Sequence, residues 1–184
     1  YNSSTGSITT KGGYVVLDAT GGSISGTTIT QGSILNGPIY LNAAINTTTA
    51  GGSGSGAGGH FSLAGSTNLA SGIGSFEPNV AALNIGGNAN FQLKSNSTAS
   101  YGFVVASYLT TSPITSYGDL NITSSGVTSS GVGLIYLTSA LTSVTGNITL
   151  TATSTNTSST TNPGVSSTVN GTITALGGSV TINS

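Results

Sequence analysis

Gly146-Asn147-Ile148-Thr149-Leu150-Thr151-Ala152-Thr153 is a glycine that ends one turn, followed by strict alternation of apolar and small polar residues. A period of two places Ile148, Leu150 and Ala152 on one face of a strand and Asn147, Thr149, Thr151 and Thr153 on the other. One face is for burial and the other for water.

The phrase recurs along the chain as Gly13-Tyr14-Val15-Val16-Leu17, Gly37-Pro38-Ile39-Tyr40-Leu41, Gly59-His60-Phe61-Ser62-Leu63 and Gly118-Asp119-Leu120-Asn121-Ile122. Further copies are Gly133-Leu134-Ile135-Tyr136-Leu137, Gly171-Thr172-Ile173-Thr174 and Gly178-Ser179-Val180-Thr181-Ile182. One such strand cannot bury its apolar face alone. If successive copies lie parallel, their Ile, Leu and Val residues form continuous inward ladders and their Thr, Ser and Asn residues form outward ones. At roughly 20 residues per coil this predicts about nine coils, stacked into a rod on the order of 45 Å long.

The intervals between motif glycines vary: 15 from Gly118 to Gly133, 13 to Gly146 and 25 to Gly171. Constant strands joined by variable turns suit a solenoid. The expected organisation is one β-solenoid domain over residues 1–184. A Gly/Ser-rich loop projects at 47–59, and a soft Ser/Thr insertion lies at 154–168. Asn79 to Ile85 reads as a buried strand cut short by Gly86-Gly87. The competing architecture is an antiparallel β-sandwich of pilin type.

Composition narrows function. Only 3% of residues are charged, namely Lys11, Lys94, Asp18, Glu77 and Asp119, with a net charge of -1. Two lysines cannot neutralise the phosphates of nucleic acid or an anionic membrane. A mean hydropathy of +0.23 with regular apolar alternation argues against the disorder that so much Gly, Ser, Thr and Asn would otherwise suggest. Cysteine is absent, which removes disulfides and thiolate chemistry together. Apolar runs such as Phe103-Val104-Val105-Ala106 are too short to span a bilayer. The chain opens at Tyr1 without Met or a signal-peptide pattern, which reads as a processed product or a segment of something longer.

Gly146 to Ala152 and Gly118 to Thr123, with Ile45-Asn46-Thr47-Thr48-Thr49-Ala50-Gly51-Gly52 leading into a new strand, resemble the repeat shafts of filamentous-haemagglutinin-type exoproteins and other large bacterial surface adhesins. Those shafts are right-handed parallel β-helices exported across the envelope, where they mediate adhesion, aggregation or biofilm cohesion. The resemblance therefore implies a secreted, cell-surface location and an adhesive or matrix-fibre role. The Asn-Pro-Asn motifs of the two-partner secretion module have no counterpart here, which leaves the export route open.

Gly6-Ser7-Ile8-Thr9 and Gly178 to Ile182 are ordinary copies of the unit rather than polar caps. We expect copies of the chain, or neighbouring repeats of a longer one, to continue the stack. Carbohydrate is a further candidate partner. A glycosylated pilus or thread-like subunit joined by strand donation is the alternative reading.

No enzymatic activity, catalytic residue, cofactor or metal site is expected. Asp18, Glu77 and Asp119 are scattered beside turn residues rather than paired for glycoside hydrolysis. His60 reads as an exposed surface histidine without metal-binding partners. The glycine loop before it lacks the Lys of a phosphate-binding loop. Thr28/Thr30, Thr149/Thr151 and Thr172/Thr174 could bind ice only if aligned on one flat face. Asn-x-Ser/Thr sequons at Asn2, Asn46, Asn96, Asn121, Asn147, Asn156 and Asn170 are candidate N-glycosylation sites, although a chain so rich in Ser and Thr supplies several by chance. Tyr40, Tyr101, Tyr108 and Tyr136 are candidates for sugar stacking or for packing between subunits.

Overall fold

A computed structural model of the chain describes residues 6–41, 43–49, 58–68, 76–78, 82–96, 103–105, 113–126, 134–137, 139–154, 165–167 and 171–184. The described residues form nineteen strands and no helix. This follows from a sequence nearly empty of the straight-chain helix formers Glu, Lys, Arg, Gln and Met.

The first sheet contains β1 (Gly6–Thr9), β6 (Ala43–Asn46), β9 (Leu83–Ile85), β12 (Ile114–Ser116), β15 (Leu141–Ser143) and β18 (Ile173–Ala175), in that spatial order. The second contains β2 (Val15–Asp18), β7 (Phe61–Thr67), β10 (Ala89–Ser95), β13 (Leu120–Gly126), β16 (Ile148–Ser154) and β19 (Val180–Asn183). The third contains β5 (Ile39–Leu41), β8 (Phe76–Pro78), β11 (Phe103–Val105), β14 (Ile135–Leu137) and β17 (Val165–Ser167). Every pairing inside these three sheets is parallel, so the antiparallel sandwich is ruled out. Among the described strands the one antiparallel pair is a hairpin of β3 (Ser23–Ser25) and β4 (Thr28–Thr30), inserted between β2 and β5; single antiparallel bridges join Gly37 to Ser66 and Thr48 to Gly58.

Strand number and sheet membership advance together. From β5 onward the chain visits the third, first and second sheets in rotation, and each strand lands beside its predecessor of one full rotation earlier. In the second sheet Phe61, Ala89, Leu120, Ile148 and Val180 stand in register at intervals of 28, 31, 28 and 32 residues. The repeat is thus longer than the expected roughly 20 residues. Each sheet holds at most six strands, a stack only about 24 Å tall at five strand spacings rather than on the order of 45 Å. The motif phrase serves all three sheets, so the glycine interval of 15 measures the step from the second sheet to the third, and that of 13 the return from the third past the first to the second. From Gly118 to Gly146, both leading into the second sheet, the interval is the full 28.

The core is a set of apolar columns running up the stack. Leu63, Phe91, Ile122 and Leu150 form one, and Ile45, Leu83, Ile114 and Leu141 another; all are buried. Burying each such side chain contributes about 1.5–3 kcal/mol. Phe91 packs between Phe61 and Phe76, with ring centroids 5.4 Å apart in both pairs. The alternation of the motif strand is reproduced: Leu120, Ile122 and Ser124 are buried, while Asn121 and Ser125 are half-buried and Thr123 is exposed. Leu83 to Ile85 form the buried strand expected there, whereas residues 79–81 lie outside the described set.

Candidate functional site

Two built features stand out, one at a corner of the stack and one on an outer face. The corner precedes each strand of the second sheet, where a glycine is followed by a polar or aromatic residue and then the first inward apolar one. The glycines stack directly, with Gly87 N donating to Gly59 O at 3.1 Å and Gly118 N to Gly87 O at 3.0 Å. A Cβ on Gly59 would lie 1.8 Å from the carbonyl oxygen of Gly13, so no other residue fits without parting the rungs.

Beside the glycines runs a polar ladder in which each rung accepts a backbone N–H from the next. His60 Nδ1 accepts Asn88 N at 2.9 Å, and Asn88 Oδ1 accepts Asp119 N at 3.0 Å. Asp119 Oδ1 then accepts Asn147 N at 2.8 Å, and Asn147 Oδ1 accepts both the N–H and the hydroxyl of Ser179 at 3.0 Å. Since Nδ1 of His60 accepts, its ring proton sits on Nε2. His60 is exposed, as expected, but it is the first member of a structural column. The recurrent Gly-polar-apolar triplet signalled that column in the sequence. Its copy Gly87-Asn88-Ala89 hides behind a small inward residue.

The second feature is the segment from Ala19 to Gly37, which carries the β3–β4 hairpin and lies against the outer face of the second sheet. Ser62 Oγ donates to Thr27 O at 2.6 Å, Ser66 Oγ to Ile34 O at 2.7 Å and Asn96 Nδ2 to Leu35 O at 2.9 Å. Gln31 Nε2 donates to Gln92 O at 3.0 Å, and Gly37 and Ser66 exchange backbone bonds of 2.9 and 3.0 Å. As a result every residue of β7 is buried, although its sequence alternates. At the root of the segment Asp18 accepts from Thr20 N and Thr20 Oγ1 through Oδ1 and from Gly22 N through Oδ2. Desolvation pushes the Asp18 carboxyl up, but these hydrogen bonds outweigh it and hold the group below its ordinary value.

Between the hairpin and the strands beneath it lies a cleft of about 250 Å³. Its lining includes Thr28 and Ile29 of the hairpin and Asn90, Gln92, Asn121 and Thr123 of β10 and β13. Asn121 Nδ2 donates to Asn90 Oδ1 across the two strands at 3.0 Å.

The remaining sequence candidates are dispersed. Asp18 on β2 and Asp119 before β13 are on strands three spacings apart and are offset by four residues along the register, and Glu77 is on β8 in a different sheet. Among the described residues no three metal-ligating side chains come together. Thr28/Thr30, Thr149/Thr151 and Thr172/Thr174 sit on or beside β4, β16 and β18, three elements that form no common row. Tyr40 and Tyr136 are on β5 and β14 of the third sheet, Tyr40 exposed and Tyr136 half-buried. Tyr101 and Tyr108 lie outside the described residues.

Of the sequon asparagines, Asn96, Asn121 and Asn147 already donate through Nδ2, to Leu35 O, Asn90 Oδ1 and Asp119 Oδ1. Asn46 Oδ1 accepts from both Thr48 N and Thr48 Oγ1. Asn2, Asn156 and Asn170 lie outside the described residues, as do 50–57 of the glycine-rich loop and 155–164 and 168 of the insertion. The described ends of the loop close on each other: Thr48 bridges Gly58, and Thr47 Oγ1 donates to Gly59 O at 2.6 Å. Among the described residues no helix is long and apolar enough to cross a membrane.

These features define an all-β protein of stacked parallel sheets with an ornamented outer face. The chain matches no protein-family model, no curated protein and no solved structure at a significant level.

Proposed function

We propose that the chain is a structural shaft, in which the three sheets close around the apolar columns as a right-handed parallel β-helix. Supporting the closure is the rotation of the chain through the three sheets with in-register columns inside each. Supporting the hand is the general rule that parallel crossover connections are right-handed in about 98% of cases. The shaft belongs to an extracellular, non-enzymatic adhesin or matrix fibre of the kind its repeats resemble. A hydroxyl-rich, nearly uncharged exterior fits a scaffold that presents ligands and excludes nucleic acid.

The shaft is continued end to end by further rungs of the same kind, from neighbouring repeats or from copies of the chain. The carrying observation is the rung of β18 and β19. There Val180 and Ile182, in register with the buried Ile148 and Leu150, are 43% and 52% exposed. Apolar side chains aligned along an unpaired strand edge recruit another strand.

Electron microscopy of the isolated 184-residue chain tests this reading. Unbranched rods lengthening with concentration are expected, with a strand-spacing reflection near 4.8 Å along the rod axis. Compact monodisperse particles under all conditions would overturn end-to-end association. Resistance of the protein on intact source cells to added protease would overturn the surface location.

A further inference from the structure

We infer that the cleft under the β3–β4 hairpin binds a single neutral sugar residue. This deepens the adhesive reading and rests on it for the choice of a saccharide. The first argument is placement. The outward columns of the second sheet read Asn90, Asn121, Thr149, Thr181 and Gln92, Thr123, Thr151, Asn183 in register. Away from the hairpin these columns carry mainly threonine, the residue suited to a solvent-facing strand. Where β10 and β13 line the cleft, three of the four outward positions are amides, Asn90, Gln92 and Asn121, and asparagine is disfavoured in strands. Both glutamines of the chain meet here, Gln31 holding the hairpin down on the backbone of Gln92.

The second argument is unused bonding capacity. The Asn121–Asn90 bond occupies one N–H of Asn121 and the oxygen of Asn90, leaving the Asn90 amide hydrogens and the Asn121 oxygen. Among the described residues the side-chain amide of Gln92 and the hydroxyls of Thr28 and Thr123 have no hydrogen-bond partner. An asparagine ladder that served the sheet alone would need neither Gln92 nor a wall opposite it.

Chemistry selects the ligand. Donors and acceptors are interleaved and no ionisable side chain lines the cleft, so an anion or cation would be desolvated without a counter-charge. A peptide cannot add as a strand to β7, β10 or β13, which are already paired on both sides. Vicinal hydroxyls, each both donor and acceptor, match the lining, and Ile29 offers an apolar wall to the C–H face of a ring. At about 250 Å³ the cleft is smaller than the ~300–1,000 Å³ of drug-sized sites, which limits it to one residue of a glycan. The hydrogen bonds that seat the hairpin keep the cleft formed before binding.

The test uses the whole chain, produced isotope-labelled in a host that does not N-glycosylate and titrated by two-dimensional NMR with maltose, lactose, methyl mannoside and glucuronate. The expected result is a saturable shift of the Asn90, Gln92 and Asn121 side-chain amides with at least one neutral sugar. Gln92→Ala should weaken that binding about tenfold or more with an unchanged urea midpoint. Lys94→Ala, outside the cleft, should bind as the parent does. No shift with any neutral sugar, a shift with glucuronate alone, or equal binding by Gln92→Ala overturns the site. Rods in the microscope without sugar-induced shifts retire the cleft and leave the shaft; shifts in a protein that forms no rods do the reverse.

Discussion

Gly59 shows what a single atom decides in a stacked structure. Its absent Cβ is the room in which the Gly13 carbonyl sits, and neither backbone can retreat without breaking the column on both sides. Gly59→Ala should therefore lower stability by about 2–3 kcal/mol, read as a drop in urea midpoint at unchanged slope. Asp18 makes a different residue-scale prediction, one of pH. Its carboxylate is favoured by the fold, so its folded value lies below the ordinary 3.8. That stability is fully present above the unfolded value and is lost as pH falls through the folded one. Asp18→Asn removes the acceptor for Gly22 N, so the parent should be the more stable at neutral pH. The gap should begin to narrow near about pH 5 and keep closing through the region below 3.8. A gap that widened on acidification would reverse the sign of the argument. The sequence marked Asp18 only as turn chemistry and Gly59 as the leader of one strand phrase among several. Periodicity reports which side chains face inward, whereas the ladder from His60 to Ser179 depends on which rung stacks on which.

Among the elements, β10 is the most constrained, since it is paired on both edges, packed on the aromatic cluster inside and partly roofed by the hairpin outside. Phe91 is its central inward residue, buried between Phe61 and Phe76 and in register with Leu63 and Ile122. Truncation by Phe91→Ala removes the shared partner of two rings and should cost about 3–5 kcal/mol in urea unfolding, with strand content retained below the transition. A cost under about 1 kcal/mol would mean that the column collapses to fill the gap. Strand existence was readable from the chain: each glycine-led phrase from Gly13 to Gly178 became a strand with its alternate residues on opposite faces. The docking of Ala19 to Gly37 was not readable. Ser62 and Ser66 look like ordinary solvent-facing positions, and only long-range hydrogen bonds to Thr27 and Ile34 make them buried anchors.

At the scale of the whole molecule the parallel stack was legible and its pitch was not. One strand grammar serves three sheets, so counting phrases counts strands and not rungs. The distinction matters for assembly, because a rung of 28 to 32 residues exposes three strand edges at once. The β18–β19 rung presents Ile182 at the register position that continues Leu63, Phe91, Ile122 and Leu150. That side chain is half-exposed, so replacing it with lysine sacrifices little burial within the chain itself. A second rung laid on β19 would have to bury the new ammonium against its own aliphatic column. Desolvating an unpaired charge costs more than the edge contact returns. Ile182→Lys should therefore leave the urea midpoint within about 0.5 kcal/mol of the parent. It should also shift the sedimentation profile from concentration-dependent rods to a single species. Undiminished rods from this variant would show that the β19 edge is not where copies meet. A collapse of the midpoint would show instead that Ile182 supports its own chain.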